Sequence, residues 1–461
     1  MACLDDFHRI TVGDATVFHG SNLDVLPFMA DNSVDSIVCD PPYELGFMGK
    51  KWDSSGIAYS VELWQECLRV LKPGGHLLAF GGSRTWHRVA VAIEDAGFDV
   101  RDSIAWLYGS GFPKSHDVSK AIDKAAGAER EVIGVKWAER YPNGIGGNGF
   151  HGGVGREADG SRDELPPLTA PATPEAEKWA GWGTALKPAF EPVVVARKPL
   201  VGTVAENVLA WGVGGLNIDA SRIGTELVGW NGAGRSGETA TAGASQGGEQ
   251  GGYNYGDGEP RPVQGRWPAN IILDEYTAGL LDEQSGVTKS PNKNTTSSGT
   301  RQAEYGYGST EIVGYADTGG ASRFFYVAKA SKRDRNEGLD QLPETKVGSY
   351  NGNAIQPDGN KIGANPNLPN QPAQNFHPTV KPTDLMRYLI KLVTPAGGIV
   401  LDPFTGSGTT GKAALLDGYR FIGIELTEDY LPIIEGRLVW ADQEYRDQVE
   451  ASEAEAKETL F

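Results

Sequence analysis

Apolar positions follow two rhythms along the first part of the chain. Residues 15–19 and 36–39 are short apolar runs of strand length, and the second ends abruptly at Asp40. Residues 22–29, 61–71 and 85–96 instead set apolar side chains three and four apart, the spacing of an amphipathic helix. Pro73-Gly74-Gly75 predicts a break before a strand over 76–80, and Gly97 closes the third helix ahead of a strand over 100–107. Strands alternating with helices predict a parallel sheet wrapped by helices. The rhythm weakens after Tyr141. A strand is expected over 190–198, folded pieces over 204–211, 270–273 and 324–328, and loops over 232–258 and 346–374. Regular alternation returns after His377, with helices over 383–393 and 409–417 and strands over 399–401 and 421–424. The pattern predicts one sheet built from both ends of the chain, with a long stretch between them.

Composition bounds this picture. A chain of 461 residues can bury a large core and hold more than one domain. Much of the glycine falls between Asn143 and Gly258, which marks that stretch as loop-rich. Cys3, Cys39 and Cys67 are scattered and odd in number, so no disulfide framework and no metal site is expected, and a reducing cytoplasm is. No run approaches the ~20 apolar residues of a membrane span, and no signal peptide is evident. The net charge of −18 weighs against a nucleic-acid partner, yet binding needs only a local positive face. Acid concentrates in 441–461, which reads as a solvated helix and tail. Arg323, Lys329, Lys332, Arg333 and Arg335 form a basic group that can meet phosphates or simply line a surface helix.

Two short motifs carry chemistry. Asp402-Pro403-Phe404-Thr405-Gly406-Ser407-Gly408-Thr409-Thr410-Gly411 follows a strand and opens a helix, and such a corner turns backbone N–H groups toward an anion or nucleotide. Gly406, Gly408 and Gly411 satisfy the dinucleotide pattern, and Glu425 ends the next strand, where a carboxylate can hold ribose hydroxyls. On this segment alone a nicotinamide cofactor is an equal alternative. The other motif is Asp40-Pro41-Pro42-Tyr43. An aspartate there can accept one N–H of an amine and the Pro41 carbonyl the other, and the two prolines stiffen the turn. Tyr43 adds an aromatic face beside them. Asp-Pro-Pro is also a common breaker at a strand end.

Together and in this order, the two motifs resemble the amino-methyltransferases of DNA, in the permuted beta class and of phage or restriction-modification type. His377-Pro378-Thr379-Val380-Lys381-Pro382 and Phe421-Ile422-Gly423-Ile424-Glu425 are similar to family segments as well. The resemblance implies an α/β fold, a Rossmann-like class I methyltransferase sheet with helices on both faces and a large Gly-rich target-recognition insert. It divides the chain into a catalytic half (10–135), variable loops and a return strand (136–200), the insert (201–375), the cofactor half (376–440) and the acidic tail (441–461).

The cofactor it implies is S-adenosylmethionine, leaving as S-adenosylhomocysteine. Thr379, Lys381 and Asp402 would then hold the methionine end. Pro403, Phe404, Gly406, Ser407 and Gly408 would pack on the cofactor, and Glu425 would bind the ribose. Ser21, where the family commonly carries an aspartate, would meet the adenine, with a helix cap as its competing role. Asp40, Pro41, Pro42 and Tyr43 would be catalytic. Adenine N6 is the first acceptor and cytosine N4 the alternative; a catalytically dead DNA-binding protein and a nicotinamide oxidoreductase are the rivals. The partner implied is double-stranded DNA, with a homodimer and a separate restriction endonuclease left open. A mobile loop is expected over 46–53, and residues 111–115 resemble a segment lining the base pocket. Trp211, Trp230 and Trp267 read as core residues or stacking platforms.

Overall fold

The computed structural model describes residues 3–45, 51–109, 111, 115–135, 167–229, 262–290, 295–296, 311–312, 317–329, 332–346, 354–355, 361–362 and 372–458. The loop expected over 232–258, Trp230, and residues 46–50 and 112–114 lie outside them.

Ten strands form the main sheet: β1 (Arg9–Val12), β2 (Ala15–His19), β3 (Val34–Cys39), β4 (Leu71–Phe80), β5 (Asp99–Leu107), β6 (Phe190–Arg197), β7 (Ile271–Asp274), β8 (Tyr326–Ala328), β9 (Ile399–Asp402) and β10 (Arg420–Glu425). Their order is β1-β2-β10-β9-β3-β4-β6-β5-β7-β8. β2, β10, β9, β3 and β4 pair in parallel, as do β5, β7 and β8. β6 runs against both neighbours, and β1 against β2. The sheet is therefore mixed where the sequence pattern predicts a parallel one. Periodicity marks 190–198 as a strand but carries no direction; direction follows from where the preceding segment delivers the chain.

The helices of eight or more residues among the described ones are α1 (Val61–Val70), α2 (Trp86–Asp95), α3 (Val118–Ala125), α4 (Val204–Trp211), α5 (Glu275–Ser285), α6 (Thr383–Val393), α7 (Thr409–Leu416) and α8 (Leu431–Glu458). Successive strand residues point to opposite faces. Ile37, Leu77, Val194 and Leu401 pack under α1 and α2 on one face; Val38, Leu78, Val193 and Val400 pack under α6, α7 and α8 on the other. Helices on both faces of a sheet whose central strands are parallel make this a Rossmann-like α/β fold. Two strands, β7 and β8, come from within 201–375 and extend the sheet beyond β5. From Tyr445 onward α8 is exposed as far as its side chains are described, and no described helix is long and apolar enough to cross a membrane.

The expected break at Pro73-Gly74-Gly75 is a bulge rather than a strand start. Leu71 pairs with Val34 and His76 with Ser36, so the residues between are extruded while the strand continues. Gly74 (φ +78°) lies against the buried Asn207, whose amide donates to Pro73 O and Val213 O at 2.9 Å each.

α7 is buried along its whole length. A Cβ on Gly411 would stand 2.7 Å from the Phe421 ring, so only glycine allows this helix to lie so close to β10. Lys412 is fully buried, with its ammonium 2.6 Å from Asp334 Oδ1, 2.8 Å from Glu337 Oε2 and over the Trp440 ring. Lys412→Met takes the buried cation from both carboxylates, leaving Asp334 its Thr383 donors and Glu337 its Arg333 partner, and a thermal melt should show a loss of about 3 kcal/mol.

The chain leaves β9 toward β10 and leaves β3 toward β4, on opposite sides. Strand order reverses between β9 and β3, and ligands of open α/β sheets bind at the carboxyl ends of such a pair.

Candidate active site

Asp402 is the last residue of β9, and Asp40 directly follows β3. Leu401 pairs with Ile37 in the parallel register, which brings the two sequence motifs side by side at the reversal point. The tetrapeptide and the glycine-rich turn thus share one sheet edge.

The Asp40–Tyr43 tetrapeptide and its neighbours bring together the side chains of Lys381, Glu191, Phe80 and Thr85. Lys381, just before α6, puts its ammonium 2.5 Å from Asp40 Oδ2, 3.2 Å from Tyr43 Oη and 3.3 Å from Glu191 Oε2. Tyr43 Oη donates to the same Glu191 oxygen at 2.8 Å. The ammonium also lies over the Tyr43 and Phe80 rings. Thr85 Oγ1 donates to Tyr43 O at 2.9 Å, and Gly82 leaves room for the ring. Pro41 is buried and Pro42 half-buried. Beyond them Glu44 (φ +53°) and Leu45 donate their amides to the buried Asp53.

Asp40 Oδ1 is buried and has no hydrogen-bond partner among the described residues. A buried carboxylate oxygen without a donor is costly, and such orphans concentrate where a ligand completes them. Burial pushes the Asp40 carboxyl up from its ordinary range, against the opposing pull of Lys381. Burial disfavours the Lys381 charge, but Asp40 and Glu191 outweigh it and raise its pKa, so the ammonium stays charged.

The glycine-rich turn is tied to two buried carboxylates. Asp402 accepts from Phe404 N at 2.9 Å and Thr410 Oγ1 at 2.5 Å, and burial pushes its pKa up to about 7. Glu425, ending β10, accepts from Gly406 N and Thr427 N at 2.7 Å each, and burial raises its pKa as well. Gly406 (φ +55°) faces the His377 ring, with 3.0 Å between Nε2 and any added Cβ, and Gly408 (φ +75°) caps α7. Phe404 is half-buried with its ring centroid 6.2 Å from that of Trp64. Asn22 donates to Pro403 O at 3.3 Å and so joins the segment after β2 to the same turn.

Most of the expected site residues converge here, with differences of detail at Lys381, Ser407, Ser21 and Thr379. The Lys381 ammonium sits with Asp40 and Tyr43 rather than with Asp402, because the loop ahead of α6 passes beside β3. The Ser407 side chain turns inward: Arg437 Nη1 donates to Ser407 O, Ser407 Oγ and Thr409 Oγ1 at 2.8, 3.0 and 2.8 Å. Ser21 is half-buried at the start of the helical turn Asn22–Val25 and makes no capping bond; Thr379 is half-buried, its amide donating to His377 Nδ1 at 3.3 Å.

Of the basic group, Arg335 donates to Asn375 O and His377 O and supports the 375–377 loop, while Arg323 pairs with Asp317. Trp267 is exposed, with the Arg222 guanidinium over its ring. Sequence reasoning missed Glu191 and Arg437. Glu191 left a faint signal, an acid interrupting the apolar run of β6. Arg437 left none, since burial of an arginine in α8 is decided by what packs on it.

Residues 34–131 and 299–436, just over half of the chain, match the profile of the DNA methylase family of N6/N4 type. Curated relatives include the DNA adenine methyltransferase YhdJ of Escherichia coli (strain K12), 49% identical over 55 residues, 12% of this chain and 19% of that protein. The type II methyltransferase M2.DpnII of Streptococcus pneumoniae is 29% identical over 175 residues, 37% of this chain and 59% of the relative. The matched stretches thus span from about a fifth to three fifths of such relatives. Among solved structures, the cytosine-N4-specific PvuII DNA methyltransferase aligns over 93% of this chain and 87% of its own, at 12% identity and a TM-score of 0.37. The chain belongs to the N6/N4 DNA methylase family.

Proposed function

We propose that this chain transfers a methyl group from S-adenosylmethionine to an exocyclic amine of a base extruded from double-stranded DNA, adenine N6 ahead of cytosine N4. The observation that carries the reading is the orphaned Asp40 Oδ1 beside the glycine-rich turn, at the carboxyl edge where strand order reverses. Family membership supports the reaction class. The name of the Escherichia coli relative, a DNA adenine methyltransferase, and the aspartate heading the tetrapeptide favour adenine.

The residues fit the donor. Glu425 would hold the ribose, Asp402 and the turn at Gly406–Gly408 the methionine end, and Phe404 an apolar face; each carboxylate retains accepting capacity beyond its backbone contacts. When bound, S-adenosylmethionine supplies an electrophilic methyl on sulfur. The chain's own groups do the rest. An exocyclic amine is a weak nucleophile because its lone pair is delocalised into the ring. Asp40 Oδ1 and the Pro41 carbonyl would accept its two N–H bonds and favour a pyramidal nitrogen, and Tyr43 would stack on the base. Catalysis would come from positioning and fixed charge. Target reading is assigned to 201–375 outside β7 and β8.

The test is incubation with unmodified DNA and tritium-labelled cofactor, followed by mass analysis of the digested nucleosides. N6-methyladenine is expected, N4-methylcytosine would replace the acceptor, and no label in DNA would sink the enzyme reading. Thermal stabilisation by S-adenosylhomocysteine and none by NAD is expected alongside.

A further inference from the structure

β6, the reversed strand, delivers Glu191 to the carboxyl edge from its own N-terminal end, which no other interior strand of the sheet does. Glu191 Oε2 receives the Tyr43 hydroxyl and lies 3.3 Å from the Lys381 ammonium, whose other carboxylate contact is Asp40 at 2.5 Å. One cation therefore stands between two carboxylates, closer to the one that must receive the substrate. Lys381 holds one oxygen of Asp40 and lies over the Tyr43 ring, and the other oxygen of Asp40 is buried without a partner among the described residues. Glu191 falls outside both stretches matched by the family profile.

Resting on the function above, we propose that Glu191 is a positioning residue for methyl transfer, the second seat to which Lys381 shifts when the amine takes its place on Asp40. The shift needs only a side-chain rotation, because the ammonium already touches both carboxylates. With Lys381 on Glu191, Asp40 loses the cation that competes for its proton. Methylation leaves the nitrogen positively charged and carrying two protons. One N–H bond then breaks, the proton forms an O–H bond on Asp40, and the electron pair returns to nitrogen. Two carboxylates against one ammonium give the cluster a surplus negative charge, which opposes the charge that the amine acquires.

The other groups facing Asp40 are Cys39 at the end of β3, Tyr43 beyond the tetrapeptide and Asp402 at the end of β9. Phe80 of β4 lies against Lys381 and Trp106 of β5 pairs with Glu191, and neither side chain titrates. The negative charge of Glu191 raises the pKa of Asp40, and Lys381 lowers it. Glu191→Gln removes the first effect and keeps Lys381 on Asp40, so both changes make Asp40 less basic. In single-turnover transfer, Glu191→Gln should slow the rate at least about tenfold and move the acid limb of the pH–rate profile to lower pH. KM for the cofactor should stay within about threefold, because the cofactor contacts are elsewhere. Glu191→Asp, which keeps the charge, should return the limb toward the wild-type position. A limb that stays in place in Glu191→Gln overturns the proposal. Thermal melts of Glu191→Gln, Lys381→Met and the double variant read the same contact without substrate. Non-additive shifts support it, and additive shifts overturn it even if the wild-type chain labels no DNA, a result that would count separately against the function.

Discussion

Asp40→Ala is expected to reduce methyl transfer to DNA by at least about 10³-fold, in line with the loss of a proton acceptor and a fixed charge together. Cofactor affinity, read by calorimetry, should change little, because Asp402, Glu425 and the Gly406 turn hold their own hydrogen bonds independently of Asp40. The loss should appear in the single-turnover rate and not in KM alone, since the proposed contact of the amine with Asp40 would strengthen as the nitrogen pyramidalises and gains charge. Asp40→Asn is the sharper companion. It keeps an accepting oxygen of the same shape but cannot take a proton, so it should retain DNA binding and remain severely slowed. Residual transfer within tenfold of wild type in Asp40→Ala would remove Asp40 from the reaction.

The second large effect concerns stability. Asp402 is held in the fold with its pKa raised to about 7 by burial, against an ordinary value near 3.8. A carboxyl whose folded pKa is raised favours the folded state while it is protonated. That contribution is complete below about pH 4 and is lost as pH rises toward 7, where the ionised, buried group carries the full cost. Three pKa units correspond to about 4 kcal/mol, and relaxation around the charge reduces this to about 2–4 kcal/mol.

Asp402→Asn keeps the side-chain oxygen for Phe404 N and can donate its amide to Thr410 Oγ1. The variant without ligand should therefore melt several degrees above wild type at pH 8, with the gap closing toward pH 5. Cofactor binding should weaken in the same variant, because the charge that burdens the fold is the one proposed for the ligand. Melting curves that run parallel from pH 5 to pH 8 would refute this.

The legible part of the fold was the part governed by local rules. Residues 15–19 and 383–393 are the strand and the helix that the apolar spacing predicts, to the residue. Val61–Val70 starts where Ser60 can cap it, its hydroxyl accepting from Leu63 N. The glycine-rich turn was legible because its glycines adopt positive φ and admit close packing, which other residues resist.

The direction of β6 was not legible, because pleating repeats every two residues whichever way a strand runs. Nor was the placement of Lys381, since its motif fixes the loop but not the neighbour that its long side chain reaches. Arg437 and Lys412 look like ordinary surface cations of helices; only the packing of α8 and the Lys332–Asn336 segment around α7 encloses them.

By itself the sequence determined the alternation of strands and helices and the two motifs that mark the family, because periodicity, turn chemistry and motif identity are properties of neighbouring residues. Only the tertiary structure decided that Asp40, Tyr43, Glu191 and Lys381 share one buried cluster beside Asp402. Those residues come from separate strands and loops. Their distances, and the burial that shifts their proton affinities, exist only once strand order has brought distant parts of the chain to the same edge.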